Sequence, residues 1–207
     1  MKKPIRRPSG TRAWYANALC THGDYAKSLA LMARARALDP ADRAIVADAY
    51  WARFVAGDGF ESVAELERMA HIDPKFAAWH RYLWRIYLVQ GRDADALREA
   101  VTTAELRGLP DAAERYRAAA ARLAGGGRPA MLLQLSSGEE SAWTRGQGSA
   151  VAIAGYRALA HDRAAMLRWL SVADARHDRD LLGLFSEPNF RQYRDDPEFL
   201  AIADRCR

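Results

Sequence analysis

The sequence predicts an all-α fold, a solenoid of about four stacked helix pairs closed by short C-terminal helices. Three observations predict it. Unrelated residues recur at one spacing of 34, and each period splits into two stretches largely free of glycine and proline. The composition, 207 residues with half hydrophobic and 28% charged, is that of an ordinary folded chain rather than a disordered one.

The period comes first. Gly23-Asp24-Tyr25 recurs as Gly57-Asp58-Gly59 and again as Gly91-Arg92-Asp93. Ser28, Ser62 and Ala96 move in step with it, as do Leu29, Val63 and Leu97. Within the first unit, a helix through Trp14–Leu19 runs to Gly23, and a second runs over Tyr25–Leu38. Glycine at the turn enters the left-handed region without penalty, and the following Asp accepts from free N–H groups of the next helix. Leu38-Asp39-Pro40 and Ile72-Asp73-Pro74 end the first two units, because proline cannot continue a helix. Small residues at Ser28, Ala35, Ser62 and Ala96 let neighbouring helices approach closely.

These residues resemble the tetratricopeptide repeat (TPR), whose 34-residue unit carries Gly-Asp-Tyr at its turn, small residues on its second helix and Asp-Pro at its end. Three copies, at 9–42, 43–76 and 77–110, cover half the chain. The resemblance implies helix-turn-helix units wound into a right-handed superhelix. The first-helix position where glycine or another small residue is usual holds Ala16, Tyr50 and Trp84, the last two departing from the pattern, and Arg107-Gly108-Leu109-Pro110 replaces the closing Asp-Pro.

Beyond Pro110, a helix through Tyr116–Leu123 leads to Gly125-Gly126-Gly127-Arg128-Pro129, which reads as a hinge. A short helix at Met131–Leu135 follows, then a polar loop over 136–148. Helical spacing returns at Ala150–Ala160 and Ala164–Ala175 as a degenerate fourth repeat, with His161-Asp162 where Gly-Asp stood before. The ending, Pro188-Asn189-Phe190 and then Arg194-Asp195-Asp196-Pro197-Glu198-Phe199, is similar to the tail of repeat domains in membrane-spanning winged-helix (ToxR-like) bacterial transcriptional regulators. Physically it suits a cap, with Phe185, Phe190, Tyr193 and Phe199 covering the apolar face of the last repeat. The expected organisation is a basic disordered tail at 1–8, three repeats and a following helix at 9–124, a glycine-rich hinge and loop at 125–148, and the fourth repeat with its cap at 149–207.

Charge narrows the function classes. Thirty-one basic against 26 acidic side chains give +5, and Lys2, Lys3, Arg6, Arg7 and Arg12 account for that excess. The folded body is therefore neutral, which argues against nucleic-acid binding by it. The tail reads first as a disordered start, with a nonspecific phosphate contact and the end of a linker from an upstream domain as the other readings. No apolar run approaches a membrane span and no secretory signal is visible, so a cytoplasmic location is expected, or a periplasmic one for a fragment of a membrane-spanning regulator. Cys20 and Cys206 suggest neither a disulfide scaffold nor a metal site.

Catalytic, metal and cofactor sites are not expected. His22, His71, His80, His161 and His177 are dispersed without metal-ligand spacing, and the twins His161-Asp162-Arg163 and His177-Asp178-Arg179 read as turn and cap residues. Glu139-Glu140 reads as a solvated loop pair. The inner-surface positions of the repeat family, carried onto this chain, are Ala13, Asn17, Cys20 and Thr21, then Ala47, Trp51, Phe54 and Val55, then Arg81, Arg85, Leu88 and Val89. Among them the groove set is Asn17, Cys20, Trp51, Phe54, Arg81, Arg85 and Leu88. Trp51 with Phe54 offers an apolar platform and Arg81 with Arg85 paired guanidinium forks, suited to an extended peptide with an apolar anchor and a nearby carboxylate. A packing role for the aromatics and a solvated face for the arginines stand as the other reading. The chaperone-tail carboxylate clamp is excluded, since Ala13, Asp48, Ala78 and Tyr82 occupy its positions and only Asn17 matches. The expected function is a non-catalytic scaffold for a protein or peptide segment. The alternative is the signal-sensing domain of a regulator, its halves shifting about residues 125–127. Oligomeric state is open.

Overall fold

The computed structural model describes residues 8–57 and 59–205. The basic residues 1–7, Asp58 of the second Gly-Asp turn and Cys206 lie outside the described residues. The described chain is helical, with no strand. Helices α1 (Pro8–Thr21) and α2 (Tyr25–Leu38), α3 (Arg43–Ala56) and α4 (Gly59–Ile72), and α5 (Ala77–Val89) and α6 (Asp93–Leu106) follow one another, and each packs on the next. Then come α7 (Pro110–Thr144), α8 (Ala150–Leu159), α9 (Arg163–Ala175), two 3-10 turns (Arg179–Ser186 and Pro188–Tyr193) and α10 (Pro197–Arg205).

The helix boundaries follow local chemistry. Asp24 accepts from the Lys27 amide, Asp42 from Ala44 and Ile45, and Asp162 from Ala165, so each satisfies free donors at the start of its helix. His161 and His177 occupy the left-handed region, with φ of 58° and 52°, and stand where Gly23, Gly57 and Gly91 stand in the earlier turns. The twin triplets are thus turn residues followed by caps, Asp178 accepting from the Asp180 amide. Gly108 (φ 66°) and Pro110 at the first turn of α7 replace the missing Asp-Pro.

One sequence expectation is overturned between 125 and 148. Residues 136–144 are helical rather than a polar loop, while the break expected at 125–129 falls at Gly127. Gly127 alone leaves helical geometry, at φ 68°, and the chain doubles back there. Arg115 lies 3.7 Å from Glu139, and its Cδ meets the Gly138 position at 3.3 Å. In a continuous helix, 23 or 24 residues would separate them by roughly 35 Å. The arms 110–126 and 128–144 therefore form a further hairpin, giving five pairs in the described chain instead of about four. Only glycine takes this backbone without a Cβ penalty, which is why the break sits at Gly127. Arg128 pins the turn by pairing with the buried Asp93 and donating to the Leu88 carbonyl at 3.0 Å. Glu139 and Glu140 are half-buried helix residues and not a solvated pair. Glu139 accepts from the Ser149 amide at 2.9 Å, and Glu140 from Arg157 at 3.0 Å.

Packing runs through the stack in three clusters. One joins Met32 and Ala35 to Ala16 and Ile45, a central one runs from Cys20 of α1 to Tyr156 of α8, and a third holds Met166, Leu170, Phe190 and Phe199. Phe190 and Phe199 cap the α8–α9 pair as expected of a terminal cover. Phe185 does more: it lies 3.7 Å from the Gly23 position, at the first turn of the chain. The two 3-10 turns form a strap that touches α1, α5 and α8.

Candidate functional site

The inner face is built by α1, α3 and α5, with α8 beyond, and the strap lies on it. Residues one repeat apart come together there. Asn17 donates to Asp48 at 2.6 Å, and Asp48 also accepts the Tyr82 hydroxyl. Arg81 donates to the Tyr82 oxygen at 2.7 Å and lies over the same ring. The Trp51 and Tyr82 rings stack at 4.9 Å, and the Arg85 guanidinium covers the opposite partner, Trp51, at 4.2 Å. A cation over an indole is favoured by the ring quadrupole, more so when water is excluded. Burial, and the neighbouring Asp48 carboxylate after it, push the Tyr82 hydroxyl well above its ordinary range, so it stays a neutral donor.

Of the groove set, Asn17, Trp51, Arg81 and Arg85 are joined in this one stripe. Cys20 and Leu88, 2% and 1% exposed, sit in the central core with no face to offer a ligand. Burial raises the Cys20 thiol to about 11, which leaves it an inert packing group. Phe54 and Trp51 also belong to that core, with ring centroids 6.2 Å apart, yet Phe54 borders a cavity described below.

The stripe already has an occupant. Arg85 pairs with Glu187 of the strap, and the Tyr25 hydroxyl donates to the Phe185 carbonyl at 2.6 Å. Arg194 donates to the same carbonyl. Gly155 of α8 lets the strap close in, because a Cβ there would meet the Asn189 amide at 2.8 Å. The inner face thus holds the Phe185 carbonyl and the Glu187 carboxylate of the strap, both from the chain itself. Sequence reasoning missed Asp48, Tyr82 and Glu187. The first two were within reach, since they sit 34 residues apart and equivalent positions of a repeat face each other.

Two cavities flank the strap. One, of about 480 Å3, lies between Arg85, Tyr156 and Asp180. The other, of about 590 Å3, lies between the ends of α3 and α5, the α8–α9 turn and the second 3-10 turn. Among the described residues there is no cluster of three or more metal-ligating side chains, and no helix is long and apolar enough to cross a membrane. No family model, curated protein or solved structure matches the chain.

Proposed function

We propose that this protein is a non-catalytic scaffold, a tetratricopeptide-like solenoid that binds an extended protein segment along its inner face. The observation that supports this reading is the grip of that face on the strap. Arg85 takes the Glu187 carboxylate, Trp51 backs the guanidinium, and Tyr25 takes the Phe185 carbonyl. Charge-assisted and main-chain bonds of this kind are how peptide segments are held, and they suit one that offers a main-chain carbonyl and, two positions on, a carboxylate. The strap then acts as an internal stand-in for the partner, which must displace it.

The test uses a fluorescent peptide with the sequence of residues 179–194, titrated onto Glu187→Lys protein, in which repulsion from Arg85 loosens the strap. Saturable binding is expected, weakened by about tenfold or more when Arg85→Ala is added. Absence of binding, or binding indifferent to Arg85, refutes the groove. The sensing-domain reading has its own support, since the strap touches both the first hairpin and α8 and so couples the two ends of the stack. Under that reading, a signal changes the angle between residues 9–124 and 148–207, and unchanged X-ray scattering with a bound ligand refutes it.

A further inference from the structure

The 590 Å3 cavity differs from the rest of the inner face in its charge. Arg128, His161, Arg191 and Arg194 border it, and among the described residues that line it there is no carboxylate. Arg128 is neutralised by Asp93 from outside the cavity. Arg191 and Arg194 are not paired with any described acid. Arg194 is anchored by the Phe185 carbonyl and leaves its buried Nε–H without an acceptor. Arg191 is exposed, its guanidinium 3.9 Å from the Gly57 position. Arg191 lies in the second 3-10 turn and Arg194 directly follows it, and both border the same cavity. The opposite wall is apolar, made by Phe54 and Val55 at the end of α3, Val89 of α5 and Leu159 of α8.

We propose that this cavity is a binding site for a small organic anion, its acidic group between Arg191 and Arg194 and its apolar body against Phe54, Val55 and Leu159. Guanidinium forks fit a carboxylate or phosphate, and two arginines with no counter-charge among the described lining residues gain from an anion between them. The volume is in the range of small-ligand sites, which are mostly apolar with a few polar groups placed to orient the guest. A bound anion would touch the array and the strap at once, so it would hold the strap down. The site does not depend on the peptide reading of the groove, since neither Trp51 nor Arg85 borders it.

Calorimetry on the full chain at low salt tests this with naphthoate and naphthyl phosphate as probes and neutral naphthylmethanol as the control. The expected result is saturable binding of at least one anion, at least about tenfold tighter than the alcohol and weakened by added salt. Arg191→Glu should weaken it by about tenfold or more, while Arg122→Glu, an equal charge change on α7 away from the cavity, leaves it unchanged. Arg191 holds no other described group, so the fold should survive, and unaltered circular dichroism checks that. Hydrogen exchange in residues 179–194 should slow when the anion is bound. Neither anion binding, the alcohol binding equally well, or an affinity indifferent to Arg191 overturns the proposal.

Discussion

The Arg85 guanidinium lies 4.2 Å above the Trp51 indole, and the two residues stand one repeat apart. Asp48 and Tyr82, hydrogen-bonded across the same interval, repeat the relationship one turn away. Stacked hairpins put equivalent positions in register, so a side chain on one unit has its own counterpart as nearest neighbour. In this chain the counterpart of an aromatic is a cation, and the pair presents its charge to whatever lies across the inner face. Glu187 is what lies there.

Removing the Glu187 charge should free the strap without melting the stack. Both partners are partly buried, and a hydrogen bond between charged groups contributes about 1–2 kcal/mol under such conditions. Glu187→Gln should therefore speed amide exchange in 179–194 by roughly 5–30-fold while α2 to α6 keep their protection. Equal rates in wild type and variant would show that the ion pair does not hold the strap.

His80 predicts a pH dependence of stability. Its Nδ1 faces Glu99 at 2.6 Å and its Nε2 faces the Pro74 carbonyl at 3.0 Å, so the charged ring donates on both sides. The Glu99 bond raises its pKa above the ordinary 6.5, outweighing the burial that works against it. Stability from this group is fully present below about pH 6.5 and is lost as the pH climbs through the raised folded value. Urea midpoints should fall as the pH rises above about 6.5, with the fall reduced in His80→Gln. Parallel profiles for the two proteins would remove His80 as the cause.

The turn at Gly127 depends on Arg128. Arg128→Met leaves the Asp93 carboxylate buried without its cation, a change expected to cost about 2–4 kcal/mol and to lower Tm by several degrees. Burial already pushes the Asp93 pKa up against the pull of Arg128, so the orphaned group should titrate higher still. Asp93→Asn added to Arg128→Met should recover part of the loss. A double variant no more stable than the single one would count against this pairing.

The first six helices were legible from the turns between them. Asp24 and Asp162 cap where a cap was expected, and His161 and His177 turn where glycine turned before. The arms of α7 were not legible as a hairpin. Three consecutive glycines and a proline read as a break in any local account, and Ser136-Ser137-Gly138 reads as a loop. The break is there, at Gly127, but packing overrides the loop: Met131, Leu132 and Leu135 reach the central core, and Ser136 is buried with them. Of the groove set, periodicity placed Trp51 and Arg85 on one stripe but could not separate them from Cys20 and Leu88, whose burial depends on the helices packed around them.

Period and punctuation are local properties, so the amino-acid order alone specified helix pairs, their register and the residues that meet at intervals of 34. What rests on the inner face is set otherwise. The Tyr25–Phe185 contact spans 160 residues, and no spacing rule links positions so far apart. Only the assembled stack brings its first turn within reach of its last segment, and there shape, a carbonyl and one carboxylate select the strap.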